Sequence, residues 1–320
     1  MRTINRLSLI LTEIILLIID YLAPKDILNI VYIFPALTKV LTKRHIAIHD
    51  HSGATILHLL AENGRTGPIS QLLAKERTVI DSKDRHGWTP LALAATYGRN
   101  GHEGVTKLLL DSRADINLPN KQNRTPLTWA AKKGHAGIVA CLLRNNVDVR
   151  IRDCYGWSAI FWASMGGNGG IVRMLLEQDP NDDLGDKYGC TPLSWAARRG
   201  HEDVVRIFLS RLEVDTRDIY GRTPLSWAAG NGFTSIVKLL LENNALTDLT
   251  DNYGQNPLSW AAREGHYTVV ELLMRHRDSG YRMAMDNGYK TVASLFERER
   301  LVLSTDVHGC TPLERALKNG

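Results

Sequence analysis

Thr191-Pro192-Leu193-Ser194-Trp195-Ala196-Ala197 is one copy of a phrase that recurs along this 320-residue chain. Thr125 to Ala131 and Thr223 to Ala229 repeat it, and Asn256 to Ala262 is a near-copy. A Gly or a stand-in lies just upstream in every unit, at Gly53, Gly87, Asn123, Gly156, Gly189, Gly221, Gly254 and Gly309. The successive differences are 34, 36, 33, 33, 32, 33 and 55. A fixed period in this range marks stacked repeats, and it overrides a division into conventional globular domains.

Working outward from Trp195, each residue type has a mechanical reason. Gly189 supplies the positive φ of a tight turn. Thr191 suits a helix N-cap, and Pro192 suits the first helical position, where no N–H is required. Leu193, Ala196 and Ala197 form a narrow apolar stripe whose small alanines admit a neighbouring helix closely. Gly200 ends that helix. After His201 and Glu202, Val204-Val205, Ile207-Phe208-Leu209 make a second, more apolar helix. A turn plus two antiparallel helices cannot bury its own apolar face, so only stacking can seal it.

The pattern resembles the ankyrin repeat, whose family form reads D-x-x-G-x-T-P-L-H-x-A-A-x-x-G-H-x-x-x-V-x-x-L-L. Matching stretches run from Gly53 to the end, more than four-fifths of the chain. The resemblance implies an all-α fold, an ankyrin α-solenoid with short β-hairpin loops, preceded by a small three-helix F-box-like segment. The expected domains are 5–48 for that segment and 52–320 for the array, with seven complete repeats, one shortened repeat and a terminal fragment. Three extra residues in Gly98-Arg99-Asn100-Gly101-His102 account for the 36-residue interval. The 55-residue interval hides a unit without its hairpin, in which Met283 to Tyr289 aligns on Trp260 to His266. Ser158-Ala159-Ile160-Phe161 replaces Thr-Pro-Leu-His and predicts a weaker helix start. Most units carry Ser or Thr where the family has His, which removes an imidazole that commonly ties neighbouring loops.

Five of the seven tryptophans share one position: Trp129, Trp162, Trp195, Trp227 and Trp260. With Leu193 at 0° on a wheel of about 100° per residue, Trp195 falls near 200°, away from the core stripe. In an ankyrin stack that direction is the concave, partner-binding side. Tyr155, Tyr188, Tyr220 and Tyr253 precede the turn Gly, at the loop tips. The aromatic series reads either as filler lying flat on the next loop or as an anchor stripe for a protein partner, and one side chain can do both. Lys132-Lys133 and Arg198-Arg199 end inner helices. With Arg124, Arg222 and Arg263 they make a positive groove, or else ordinary solvated helix ends. A formal charge of +5 over this length favours an acidic peptide over nucleic acid.

Leu7 to Ile48 differs in composition, dense in Ile and Leu and almost without Gly. Glu13 to Leu22 reads as a helix, and Pro24 and Pro35 start two more, Lys25 to Ile33 and Ala36 to Lys43. The stretch resembles an F-box, roughly L-P-x-E-I-L-x-x-I-x-x-x-L-x-x-x-D-L. Glu13-Ile14, Ile18, Leu22 and Asp26-Ile27 match in register, with Leu11 in place of the expected Pro. That resemblance implies a Skp-type adaptor of a cullin ubiquitin ligase as partner, held by Leu11, Glu13, Ile14, Leu17, Ile18 and Leu22. A membrane or signal segment is disfavoured because Glu13 and Asp20 interrupt the apolar run, leaving six residues uninterrupted. A helical cap that merely shields the first repeat is the competing reading.

Cys141, Cys154, Cys190 and Cys310 are scattered singly, without zinc spacing, which fits a reducing, cytoplasmic or nuclear compartment. His102, His135, His201 and His266 recur at the Gly-His place of the repeat and are expected to satisfy backbone groups. Gly166-Gly167-Asn168-Gly169-Gly170 lacks the Gly-Lys-Ser/Thr of a phosphate loop and does not follow a strand. No catalytic, cofactor or metal constellation stands out, and the chain is expected to be a monomeric, non-catalytic protein-binding module. It reads as a ubiquitin-ligase substrate receptor or as a stand-alone scaffold or regulator. The order of F-box-like segment and array also resembles filamentous-fungal proteins, some in specialised-metabolite gene clusters, which implies an accessory role there as one form of the scaffold reading.

Overall fold

The computed structural model describes residues 14, 17–19, 21–33, 41, 43–46, 49–75, 79–98, 101–179 and 185–286. The chain forms two compact units, residues 1–162 and 163–320. In the first unit, α1 (Pro24–Ile33) and α2 (Lys43–Ile46) precede three helix pairs. These are α3 (Ile56–Glu62) with α4 (Thr66–Lys75), α5 (Pro90–Tyr97) with α6 (His102–Asp111), and α7 (Pro126–Lys133) with α8 (Ala136–Arg144). Inner helices α3, α5 and α7 stack in order, as do outer helices α4, α6 and α8, and α1 packs on α3. α9 (Ala159–Met165) spans the boundary residue. The second unit continues with α10 (Gly169–Gln178), α11 (Pro192–Arg199), α12 (Glu202–Leu209), α13 (Pro224–Gly230), α14 (Thr234–Glu242), α15 (Pro257–Arg263) and α16 (Tyr267–Asp286). There α11, α13 and α15 stack, as do α10, α12, α14 and α16.

The inner helices start where capping chemistry puts them. Thr89, Thr125, Thr191, Thr223 and Asn256 each accept from the amide three residues on, with Pro at the first turn. Each such cap is worth about 1 kcal/mol. Left-handed Gly98, Gly134 and Gly200 close three of these helices. Ser158 opens α9 without Pro, and the helix still forms over Ala159–Met165. Leu193, Ala196 and Ala197 are fully buried, as are Val204, Val205 and Phe208 of the paired helix. The stack is also tied by imidazoles. Nε2 of His102 and His135 donate to the carbonyls of Glu62 and Thr96 in the preceding repeat, at 2.8 and 3.0 Å. In the second unit His201 and His266 reach Met165 and Gly230, at 2.9 and 3.2 Å. His58 keeps the family imidazole in the first repeat, where its Nε2 donates to Trp88 O at 3.0 Å.

The β-hairpin expectation requires correction, because no strand occurs among the described residues. The loop at Asp84 closes through one backbone pair, Asp84 N to Trp88 O at 3.0 Å, and meets the next loop through one backbone bond, Lys121 N to His86 O at 3.1 Å. The reason is the loop aspartate, whose Oδ1 takes the amides that a second strand would otherwise pair. Gly87 shows why a glycine is needed there: φ is +82°, and a Cβ would lie 2.8 Å from Lys121 N. Asn123 adopts the same left-handed turn at φ 58°. The described residues reach only the start of the expected shortened unit. Residues 267–286 form one helix, so Met283 to Asp286 extend α16 instead of opening a new inner helix. No Gly-x-Thr-Pro start intervenes to interrupt the hydrogen-bond ladder. Residues 287–320 lie outside the described residues, as does the terminal fragment expected there.

Before the repeats, Ile19, Ile27, Val31, Leu41 and Ile46 share one apolar core with Ile56, Leu60 and Leu72. Lys75 Nζ donates to Leu41 O at 3.0 Å, pinning the segment to α4. The helix expected from Lys25 is present as α1. Most of the one expected at Ala36 to Lys43 lies outside the described residues, and a short helix runs instead over Lys43–Ile46.

Candidate partner-binding face

The site is built on an aspartate in each loop. Asp153 Oδ1 accepts the amides of Tyr155 and Trp157 at 2.9 and 3.1 Å, bending the chain into the turn. Its Oδ2 accepts the indole N–H of Trp162 at 3.1 Å. The second unit repeats this three times: Trp195 donates to Asp186, Trp227 to Asp218 and Trp260 to Asp251, at 3.1, 3.2 and 3.0 Å. Donor and acceptor are always nine residues apart, so each Trp locks its own inner helix to its own loop. Burying both groups without this bond would leave an unmet polar atom costing about 1–3 kcal/mol.

The third repeat breaks the rule. Its loop residue is Asn120, whose Oδ1 still accepts the amides of Gln122 and Arg124 at 2.9 and 3.0 Å. An amide offers N–H₂ where the carboxylate offers a second oxygen, and Trp129 Nε1 is buried without a partner. That ring is held instead by packing, 4.5 Å from Trp88.

Between the indoles lie cations. In the first unit Arg124 sits 5.1 Å from Trp129 and 4.5 Å from Trp162, and Lys132 sits 5.0 and 4.0 Å from the same rings. In the second unit Arg198 lies between Trp195 and Trp227, at 5.0 and 4.2 Å, and Arg222 between Trp227 and Trp260, at 4.6 and 4.2 Å. Arg263 covers Trp260 at 5.3 Å. Such contacts add about 0.5–2 kcal/mol each, more as they are desolvated. Arg124 Nε also donates to buried Asp153 at 3.0 Å, and Arg222 stands 3.7 Å from Asp251. Burial lowers the Lys132 ammonium pKa, and nearby Arg124 and Lys133 lower it further. Burial likewise lowers that of Arg198, with Arg199 and Arg222 adding repulsion. The cations of each unit thus stand close enough to repel one another.

A family model for ankyrin repeats (3 copies) matches residues 32–120, 98–183, 138–218 and 208–287. The chain is an ankyrin repeat protein. It is similar over 73 residues, at 42% identity, to a transient receptor potential cation channel subfamily A member 1 homolog of Caenorhabditis elegans, covering 23% of this chain and 6% of the relative. It is 36% identical over 77 residues to mouse protein phosphatase 1 regulatory subunit 12A, covering 24% and 7%. It is 36% identical over 84 residues to neurogenic locus notch homolog protein 1 of Cricetulus griseus, covering 26% and 3%. The chain thus spans less than a tenth of the length of these curated relatives. Ankyrin repeats are protein–protein interaction modules, and the array belongs to that class.

Within the array, the sequence-based site residues separate by exposure. Tyr155, Tyr188, Tyr220 and Tyr253 are all exposed at the loop tips. Lys133 and Arg199 are exposed helix-end cations, whereas Lys132 and Arg198 fold back onto tryptophans. Trp129 and Trp162 are buried; Trp195, Trp227 and Trp260 are half-buried. The filler and anchor readings of the Trp series therefore describe different parts of one side chain, an indole N–H committed inward and, in the second unit, a ring edge left outward. The loop aspartates were not singled out from the sequence, although a constant nine-residue spacing to Trp was there to be read.

At the N-terminus, Leu17 and Ile18 are 60% and 53% exposed, Ile14 is exposed and Leu22 is half-buried, whereas Ile19 is 1% exposed. Leu11 and Glu13 lie outside the described residues, as does Cys310. Cys190 is buried, and desolvation together with Asp186 and Asp218 pushes its thiol pKa up to about 12. No helix among the described residues is long and apolar enough to cross a membrane.

Proposed function

We propose that this ankyrin protein is a substrate receptor of a cullin-type ubiquitin ligase, with the array gripping the target and the N-terminal segment before α1 gripping a Skp-type adaptor. One observation carries it: Ile14, Leu17, Ile18 and Tyr21, at i, i+3, i+4 and i+7, are all exposed and apolar. Within the same stretch Ile19 turns the other way, into the core that it shares with Ile27 and Val31 of α1 and with the first repeats. A segment that served only as a lid would need its buried side alone. Ile14, Leu17 and Ile18 are three of the positions that the F-box resemblance assigns to adaptor contact, and Tyr21 extends them. On the target side, the exposed tyrosines and the crowded cations suit a partner segment that carries Asp or Glu.

The test is co-purification of the full chain with a Skp-type adaptor. Leu17→Glu with Ile18→Glu is expected to abolish capture while leaving the melting temperature within about 2 °C, since exposed positions contribute within about 0.5 kcal/mol. No adaptor capture by the wild-type chain, even with Leu11→Pro restoring the family residue, sinks the ligase reading. In that case the buried half of the segment favours the scaffold reading, in which α1 only caps α3. Deleting residues 1–48 is then expected to cause aggregation without loss of the target.

A further inference from the structure

The loop aspartates of the first two repeats are left differently from all those that follow. Nine residues after Asp50 and Asp84 the chain has Leu59 and Leu93, where later repeats have Trp. Asp50 Oδ1 accepts from the amides of Ser52 and Ala54, at 2.8 and 2.9 Å, and Asp84 Oδ1 from those of His86 and Trp88, both at 2.8 Å. The turns are therefore normal, but with Leu at both positions each aspartate's own repeat supplies no indole to Oδ2. The cation is missing as well. Arg124, just after its turn, reaches forward to Asp153 of the next repeat, and Arg222 reaches Asp251 in the same way. The equivalent residue ahead of Asp84 is Ala54, which has no cation to offer.

Where ring and guanidinium stand in later repeats, the first two hold a cleft of about 660 Å³. Leu59 and Leu93 line it as apolar surface, Asp50 and Asp84 as carboxylates, and Trp88 and Tyr97 as aromatic surface. Glu62 adds a third carboxylate; its hydrogen bond with Tyr97, together with burial, raises the pKa of that phenol. Asn29 of α1 also borders the space. Burial lowers the pKa of His58, and no Lys or Arg lines the cleft. Among the described residues no three acids, histidines or cysteines converge as metal ligands.

We propose that this cleft receives an arginine side chain from a partner protein. Its guanidinium would lie at Asp84 and Asp50 against Trp88, and its methylenes across Leu59 and Leu93. Two later loops supply the template, since at Asp153 and Asp251 the chain's own Arg124 and Arg222 stand between carboxylate and indole. Lysine fits less well, because only a planar fork pairs bidentately and stacks at once. The inference rests on the array's gripping a protein target, but not on adaptor capture by the N-terminal segment.

The test uses the full chain carrying ¹⁵N-labelled tryptophan, titrated with the blocked pentapeptide acetyl-Gly-Gly-Arg-Gly-Gly-amide. The Trp88 indole signal is expected to shift saturably, and those of Trp195, Trp227 and Trp260 to stay in place. Lysine or citrulline in place of arginine, or Asp84→Asn in the protein, is expected to weaken binding about tenfold, the effect of losing one charge-assisted contact. Leu93→Trp serves as the folded control: it fills the cleft and gives Asp84 its indole, so the melting temperature holds or rises and the shift disappears. No saturable shift at Trp88 overturns the proposal, as does an equal response to citrulline, or an undiminished response in well-folded Leu93→Trp. If target capture survives any of these results, the loss is confined to the arginine slot.

Discussion

The first two repeats and the five after them share a backbone and differ in what completes the loop aspartate. In the fourth to seventh repeats a Trp nine residues on donates to Oδ2, and within each unit cations lie between neighbouring rings. In the first two, Leu stands at that position and the carboxylates border open space. If the cleft takes an arginine as proposed, a repeat protein trades stability against recognition at a single position. A residue that finishes the loop from within removes a binding opportunity, and a smaller one creates it. The third repeat lies between the two, with its Trp in place and its carboxylate replaced by Asn120.

The sharpest way to break the comparison is to remove one indole from each side of it. Trp227→Ala strips a ring held between Arg198 and Arg222 and leaves buried Asp218 Oδ2 with only the weak Cys190 thiol as donor. It is expected to cost roughly 3 kcal/mol in a denaturant titration. Leu93→Ala, bordering the cleft, is expected to cost about 1 kcal/mol. Equal losses would mean that the Trp bonds do not support the later repeats.

A reciprocal pair sharpens it further. Asp218→Asn recreates the third repeat's defect, and about 1–2 kcal/mol of destabilisation is expected as Trp227 loses its acceptor. Asn120→Asp supplies the acceptor that Trp129 lacks and is expected to stabilise by about 1 kcal/mol. If both substitutions move the denaturation midpoint the same way, the aspartate–indole account fails.

Much of this was legible before any coordinates. Thr-Pro-Leu at Thr191 and Gly200 fixed both ends of α11 because cap and C-terminal glycine act locally. The offset of Trp195 from Leu193 and Ala196 pointed it off the core stripe for the same reason. The indole's destination was not legible from the helix alone, since Asp186 comes alongside Trp195 only when the loop folds back. Nor could a wheel separate Lys132 from Lys133, neighbours of one charge and opposite fates, because the ring receiving Lys132 belongs partly to the next repeat. The cleft was visible only as two substitutions, Leu59 and Leu93, whose meaning depends on what surrounds the missing rings.

The imidazole of the first repeat provides a test by pH. His58 is buried, and its pKa is lowered below 6.5, chiefly by desolvation, against the raising effects of its bond to Trp88 O and of Asp84. The unfolded chain therefore binds the proton more readily than the folded one. His58 contributes its stability above pH 6.5, and that contribution is lost as pH falls from there through the lower folded value. The slope in that window is at most about 1.4 kcal/mol per pH unit. His58→Gln is expected to flatten it, while the later repeats, with Thr128, Ser194, Ser226 and Ser259 at this place, carry no such imidazole. An unchanged slope would place the sensitivity in other histidines.

The smallest effect separates adjacent arginines at the end of α11. Arg198 is half-buried with its guanidinium over Trp227, whereas Arg199 is exposed. Replacing Arg198 by Met keeps the stem and removes the cation–π contact, but it also relieves repulsion from Arg222 and Arg199. The two terms oppose, so the net cost is expected to be only about 0.5 kcal/mol, less than the contact alone would suggest. Arg199→Met should leave the denaturation midpoint unmoved, because a solvated charge at a helix end holds no ring and crowds its neighbours less. A larger cost at Arg199 than at Arg198 would show that the cations stabilise this helix through its dipole, and that the indoles are incidental to them.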